Sequence, residues 1–174
     1  VPLLDRLLAH RDGVAHARLP PRPHTLRSVS SQLGSRGTKI CENSTVPVIA
    51  SHSNAKAVRN VARNLTDEEI RCIAKTGGVI GLNFHATFVS GGNDGPANVS
   101  RVADHAEYLA KIGGHQVVAL GSDFDGYIKK PVGLEDASKV PSLWDELRRR
   151  GWTEEQLSGV QGENFMRAWD KLPR

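Results

Sequence analysis

From residue 46 onward the apolar positions fall into two alternating periods. "VPVIAS" (46–51) is a short apolar, β-branched run ending at His52, which predicts a buried parallel strand. In "TDEEIRCIAKTGG" (66–78) Ile70, Ile73 and Ala74 recur at helical spacing. Thr66 with Glu69 three residues on makes a capping box, and Gly77 can take the left-handed stop. Acidic residues in its first turn and Lys75 in its last oppose the helix dipole. "GVIGLNF" (78–84) predicts a second strand, followed by a loop holding Gly91, Gly92, Gly95 and Pro96. A helix is expected over 98–114, where Val102, Ala106, Leu109 and Ile112 repeat before Gly113-Gly114. "QVVALGS" (116–122) predicts the third strand and runs into "DFDG". Three further helices follow: one over 141–150, one capped by Thr153 with Gln156, and one over 162–171.

Strands and helices that alternate in this way build βαβ units and a parallel sheet, so the fold class is α/β. Three clear strands suit either a small α/β layer or a portion of a barrel. The 174 residues fall short of the roughly 250 that a complete eight-fold β/α barrel takes. Residues 1–40 read differently from 41–174. Leu3, Leu4, Leu7 and Leu8 make a brief helical pattern ending near Gly13, and a Pro/Arg/Ser-rich run with little apolar periodicity follows. The expected organisation is a divergent N-terminal segment (1–40) ahead of the regular α/β part (41–174).

Charge and composition narrow the function. The chain is 39% hydrophobic and 24% charged, as a globular unit is, with a formal net charge of +4. The basic excess crowds the first forty residues, but no aromatic residue falls among those arginines. With no stacking platform and no recognised motif, a nucleic-acid partner is not expected, and a solvated basic segment is the plainer reading. Cys41 and Cys72 match no zinc ribbon or CxxC pair, and Cys72 sits on the apolar side of its helix as a buried free thiol would. The chain shows no signal peptide, membrane-spanning stretch or lipid-anchor signal. Three Asn-x-Ser/Thr sequons, at Asn43, Asn64 and Asn98, point toward a secreted or membrane-associated ancestry.

In parallel α/β folds the chemistry sits at the C-terminal ends of the strands. Those ends carry His52, Ser53 and Asn54, then Asn83, Phe84 and His85, then Ser122, Asp123 and Asp125. Imidazole and carboxylate together suit zinc, and a carboxylate beside a metal-bound water can carry its proton. Arg59 and Arg63 could grip a substrate carboxylate. The same residues also admit structural roles: a histidine bonding a loop, an aspartate shaping a turn, arginines as surface charge.

The segments "VIASHSNAKAVRNVARNLTDEEI", "GGVIGLNF", "VADHAEYLAKIGG", "VALGSDFDG" and "GLEDASKVPSLWDELRRRGWTEEQLSGVQGENFMRAW" resemble, in order, the C-terminal portion of the membrane (renal-type) dipeptidase family. The resemblance runs from about Val46 to Trp169. It implies the C-terminal portion of a (β/α)8 TIM-type barrel, incomplete in this chain, from a family that hydrolyses dipeptides with two zinc ions and tends to form homodimers. By the same resemblance His52 is a zinc ligand, Asp123 the acid/base acting on the metal-bridging water, and Arg63 the clamp on the substrate's terminal carboxylate. His85 stands where many relatives have tyrosine. The family's His-x-Asp pair and bridging Glu have no counterpart here. Ser31 occupies the place of a further zinc-binding histidine, and His10, His16 and His24 lie in Pro-rich surroundings without a rigid scaffold. The resemblance therefore implies a truncated member with low or no activity by itself. The alternative is a non-catalytic barrel fragment serving as a structural or association module.

Overall fold

The computed structural model describes residues 27–28, 39–91, 93 and 95–172. The proposed N-terminal helix, Ser31 and the three N-terminal histidines lie outside these residues. Four parallel strands form one sheet in sequence order: β1 (Arg27–Ser28), β2 (Val48–Ala50), β3 (Val79–Leu82) and β4 (Val118–Leu120). The register pairs Arg27 with Val48, Ile49 with Val79, and Gly81 with Ala119. Every residue of β2 and β3 is buried, as their unbroken apolar runs predict.

Strand β1 is the departure from the three-strand expectation. Its two residues carry no apolar pattern of their own and are strand only because β2 lies beside them. The other strands are shorter than their apolar runs, since ladder pairing ends before the hydrophobic residues do. A 3₁₀ turn at His115–Val117 replaces the start of the third run.

Crossovers come from α1 (Asp67–Lys75) between β2 and β3, and from the short α2 (Ala86–Val89) with α3 (Val99–Gly113) between β3 and β4. After β4 come α4 (Pro141–Arg149), α5 (Glu154–Ser158), a π turn (Gly159–Glu163) and α6 (Asn164–Asp170). Both capping boxes close as expected: Glu69 N–H donates to Thr66 Oγ1, and Gln156 N–H to Thr153 Oγ1, each at 3.3 Å. Gly77 takes a φ of 75° just after α1, the left-handed stop a glycine allows at little cost.

Ile70 and Ile73 of α1, Val102, Ala106 and Leu109 of α3, Ile80 and Leu82 of β3, and Phe84 bury together in the main core. Arg150, just past α4, ties that helix to α3 through Asp104, Glu107 and Glu146 at 2.7–2.8 Å. Among the described residues, no helix is long and apolar enough to cross a membrane. The Asn64 sequon serves the fold: its side chain is buried and its amide donates to the Arg59 and Phe88 carbonyls at 2.9 and 2.8 Å.

Candidate active site

The three strand ends converge on one rim, held there by asparagine side chains that act as backbone. Past the end of β2, Asn54 accepts from Asn83 N–H at 3.1 Å and donates to Asn83 C=O at 2.9 Å, continuing the β2–β3 pairing beyond the strands. Asn54 and Asn83 are fully buried, so each hydrogen bond also satisfies a group that water cannot reach. Asn83 then turns its own amide outward: Nδ2 donates to Asp123 Oδ2 at 3.3 Å, and Oδ1 accepts from His85 N–H at 2.6 Å.

Asp123 sits at the end of β4 with a φ of 64°, the left-handed region that Asp and Asn enter more readily than most residues. Gly126 N–H closes the turn on Asp123 C=O at 3.0 Å, and a Cβ on Gly126 would collide with the Asp123 carboxylate. "SDFDG" is thus both a turn and a rim carboxylate. Asp125 is exposed on the far side of that turn.

His52 follows β2, half-buried. Arg63 Nη2 lies 2.6 Å from its Nε2, and Ser51 Oγ lies 2.8 Å from its Nδ1. A guanidinium can only donate, so Nε2 carries the lone pair and Nδ1 the hydrogen, which Ser51 Oγ accepts. This tautomer leaves Nε2 the basic nitrogen. Arg63 lies over the Phe88 ring at 5.9 Å, and His85 packs on Phe88 with ring centroids 4.5 Å apart. Burial pushes the Arg63 guanidinium below its usual pKa, and the charge of Asp123 opposes that shift. Arg63 Nη1 and Ser53 Oγ are buried without a hydrogen-bond partner among the described residues.

The structure therefore brings His52, Arg63 and Asp123 to one rim with Asn83 bound to Asp123, and it directs Arg59 and the His85 ring to other partners. Arg59 donates to Gly91 C=O at 3.0 Å and reaches Thr87 C=O at 3.5 Å, pinning a loop. The His85 ring caps α2, accepting from Thr87 N–H at 3.3 Å. Among the described residues, no group of three or more His, Cys, Asp or Glu is placed to hold a metal.

One residue escaped the sequence reading. His105 of α3 is fully buried; its Nδ1 accepts from Ala55 N–H at 3.1 Å and its Nε2–H donates to Val89 C=O at 3.0 Å. It thereby locks the segment just beyond His52 to α2. Its place on the apolar face of α3, between Val102 and Leu109, was the available signal. Burial pushes its pKa down to about 4, so it stays neutral in the folded chain. The unfolded chain, with an ordinary value near 6.5, binds the proton first as pH falls. Stability is then fully present above pH 6.5 and is lost as the pH falls toward 4. Thermal melts should show a loss on the order of 2 kcal/mol between pH 7 and pH 5. His105→Gln should start less stable and lose that slope. An equal slope in the variant would assign the pH dependence elsewhere.

Comparison with known proteins shows the family and the fold. The membrane dipeptidase family (Peptidase family M19) matches residues 30–173. A solved dipeptidase of that metallopeptidase family is 32% identical, with a TM-score of 0.73 over 81% of this chain and 42% of its own. A metallopeptidase from Rhodobacter sphaeroides, solved with a phosphinate mimic of the dipeptide L-Ala-D-Ala, is 31% identical. Its TM-score is 0.71, over 78% of this chain and 39% of its own. The probable dipeptidase PvdM from Pseudomonas aeruginosa shares the fold at 21% identity and a TM-score of 0.77, over 84% of this chain and 50% of its own. The chain thus spans half or less of these relatives' length. A family match across most of the chain, and two relatives above 30% identity aligned over more than three quarters of it, place this protein in the membrane dipeptidase family, Peptidase family M19.

Proposed function

We propose that this chain supplies one half of a zinc dipeptidase site, with Arg63 receiving the substrate's terminal carboxylate, Asp123 exchanging the proton of the attacking water, and His52 offering one imidazole to zinc. The observation that carries this reading is the Arg63 guanidinium on the rim, with Nη1 buried and unpartnered among the described residues, beside His52 and Asp123. A dipeptide carboxylate would satisfy that N–H and a second one in a bidentate pair. The dipeptide mimic bound to the Rhodobacter sphaeroides relative supports the substrate class. In this reading the four strands belong to a (β/α)8 barrel, and residues 41–174 make up its C-terminal part.

Zinc does not fit the described residues alone. A catalytic zinc takes roughly three protein ligands, and here one imidazole faces the rim, its Nε2 already engaged by Arg63. The chain's own contribution is to position. Ser51 orients the His52 ring, Asn83 steadies the Asp123 carboxylate, and Phe88 backs the guanidinium.

A second reading, a non-catalytic module that associates through its uncovered surfaces, has its own support. Both ring nitrogens of His52 are satisfied within the chain. In addition, the stacked Phe165–Trp169 pair and Leu120 of β4 remain exposed.

Elemental analysis of the purified chain tests the first reading. The chain alone should hold well under one zinc and hydrolyse no dipeptide. Fused behind the first half of the Rhodobacter sphaeroides relative, it should bind about two zinc ions, with His52→Ala losing metal. Stoichiometric zinc on the chain alone would overturn the half-site. A folded fusion that binds zinc equally well with and without His52 would favour the associating module.

A further inference from the structure

The sheet has a second edge, opposite the rim of His52 and Asp123. Gly78 and Val117, the residues just before β3 and β4, wall a cleft of about 300 Å³ there. The last turn of α1 and Gly113 at the end of α3 form its sides, and Arg167 of α6 reaches in with Lys171 just beyond that helix. Arg167 Nη1 donates to Gly77 C=O at 2.9 Å and Nη2 to Gln116 C=O at 2.8 Å. Each of these nitrogens keeps a second hydrogen, so the guanidinium is fixed in place with donors to spare. Its Nε is buried without a partner among the described residues. Gly77, at a φ of 75°, leaves open the space a Cβ would fill, 2.8 Å from Lys171 Nζ and 3.8 Å from Arg167 Nη1. Two cationic heads thus crowd one point, and Lys75 lines the same cleft.

Among the described residues, none of Lys75, Arg167 and Lys171 pairs with a carboxylate. Basic residues beside helix C-termini commonly serve only to offset the helix dipole. Two helix ends meet here, and each presents about half a negative charge, so together they offset about one of the three cations. A positive charge of about two remains. We infer that this cleft binds a phosphate group, free or carried on a small ester. A phosphate group holds roughly 1.5–2 negative charges at pH 7, which matches the excess. Arg167 supplies the oriented donors, and Lys171 closes on the anion over Gly77. No rim residue takes part, so the inference stands apart from the half-site reading.

The test is isothermal titration of the full chain with inorganic phosphate at pH 7.5 and constant ionic strength. One saturable site is expected, with a Kd on the order of 1 mM. Lys171 is exposed, so Lys171→Gln should keep the fold and weaken binding about tenfold. Lys171→Arg should bind about as well as the parent. Glycerol 3-phosphate binding about tenfold more tightly than phosphate would assign the cleft to a small ester, and equal binding would assign it to the free anion. No saturable binding up to about 50 mM phosphate would overturn the inference. So would a Lys171→Gln variant that binds like the parent, since the anion would then sit elsewhere. A loss equally deep in Lys171→Arg would also overturn it, because charge would not be the cause.

Discussion

Gly81→Ala is expected to cost about 3 kcal/mol or more, and to leave the chain largely insoluble or melting some 10 °C lower. The cause is geometric. A Cβ at Gly81 would overlap the Ser51 carbonyl oxygen and stand 2.9 Å from Gly121 Cα. A Cβ on Gly121, just past β4, would meet the same oxygen, so Ser51 C=O leaves no room for a side chain on either glycine. Each obstacle is backbone, which cannot swing aside as a side chain can. To admit a methyl group, β2 must move away from β3. That shift would also break the hydrogen bond from Ser53 N–H to Gly81 C=O at 2.8 Å and drag His52 off the rim. Against a typical margin of about 5–15 kcal/mol, such a loss is severe. A circular-dichroism melt decides the matter: a Gly81→Ala variant melting within a degree or two of the parent would mean the strands have slack that the geometry denies.

In the fused dipeptidase described above, Asp123→Asn is expected to lower kcat by about 10²–10⁴-fold with little change in the melting temperature. Asparagine tolerates the left-handed backbone at this position, and its carbonyl oxygen can still accept from Asn83 Nδ2. What it cannot do is exchange a proton. The nearby Arg63 would keep its guanidinium, so KM should move far less than kcat. A loss confined to KM, or a loss of the folded state, would assign Asp123 to binding or to the turn instead. An unchanged kcat would remove it from the proton-transfer role altogether.

The capping boxes show which features can be read locally. Thr66 with Glu69, and Thr153 with Gln156, satisfy the helix start within three residues of chain, so no distant partner can override them. The unbroken apolar runs of β2 and β3 likewise announce burial on both faces, because little else accommodates such a run. That His52 and Asp123 would come to one edge of the sheet was legible for a related reason. A parallel sheet aims all its C-terminal ends the same way.

Arg59 and Arg63 mark where local reading stops. They are the same residue type, four positions apart, and nothing nearby tells them apart. The turn between them, held by the buried Asn64 amide, sends Arg59 to the Gly91 carbonyl and Arg63 to His52. Strand β1 exists only through its pairing with β2. His105 looked like one more residue on an amphipathic helix, yet its two hydrogen bonds reach positions 50 and 16 residues away.

The sequence by itself determined the main strands and helices from residue 46 onward, their caps, the α/β class and the family, because these depend on short-range periodicity and on ordered motifs. The tertiary structure alone decided what Arg59 and Arg63 each bind and that a helix histidine holds the segment beyond His52. Each of those outcomes depends on which groups the packed chain places within hydrogen-bonding reach, and distance along the chain carries no record of that.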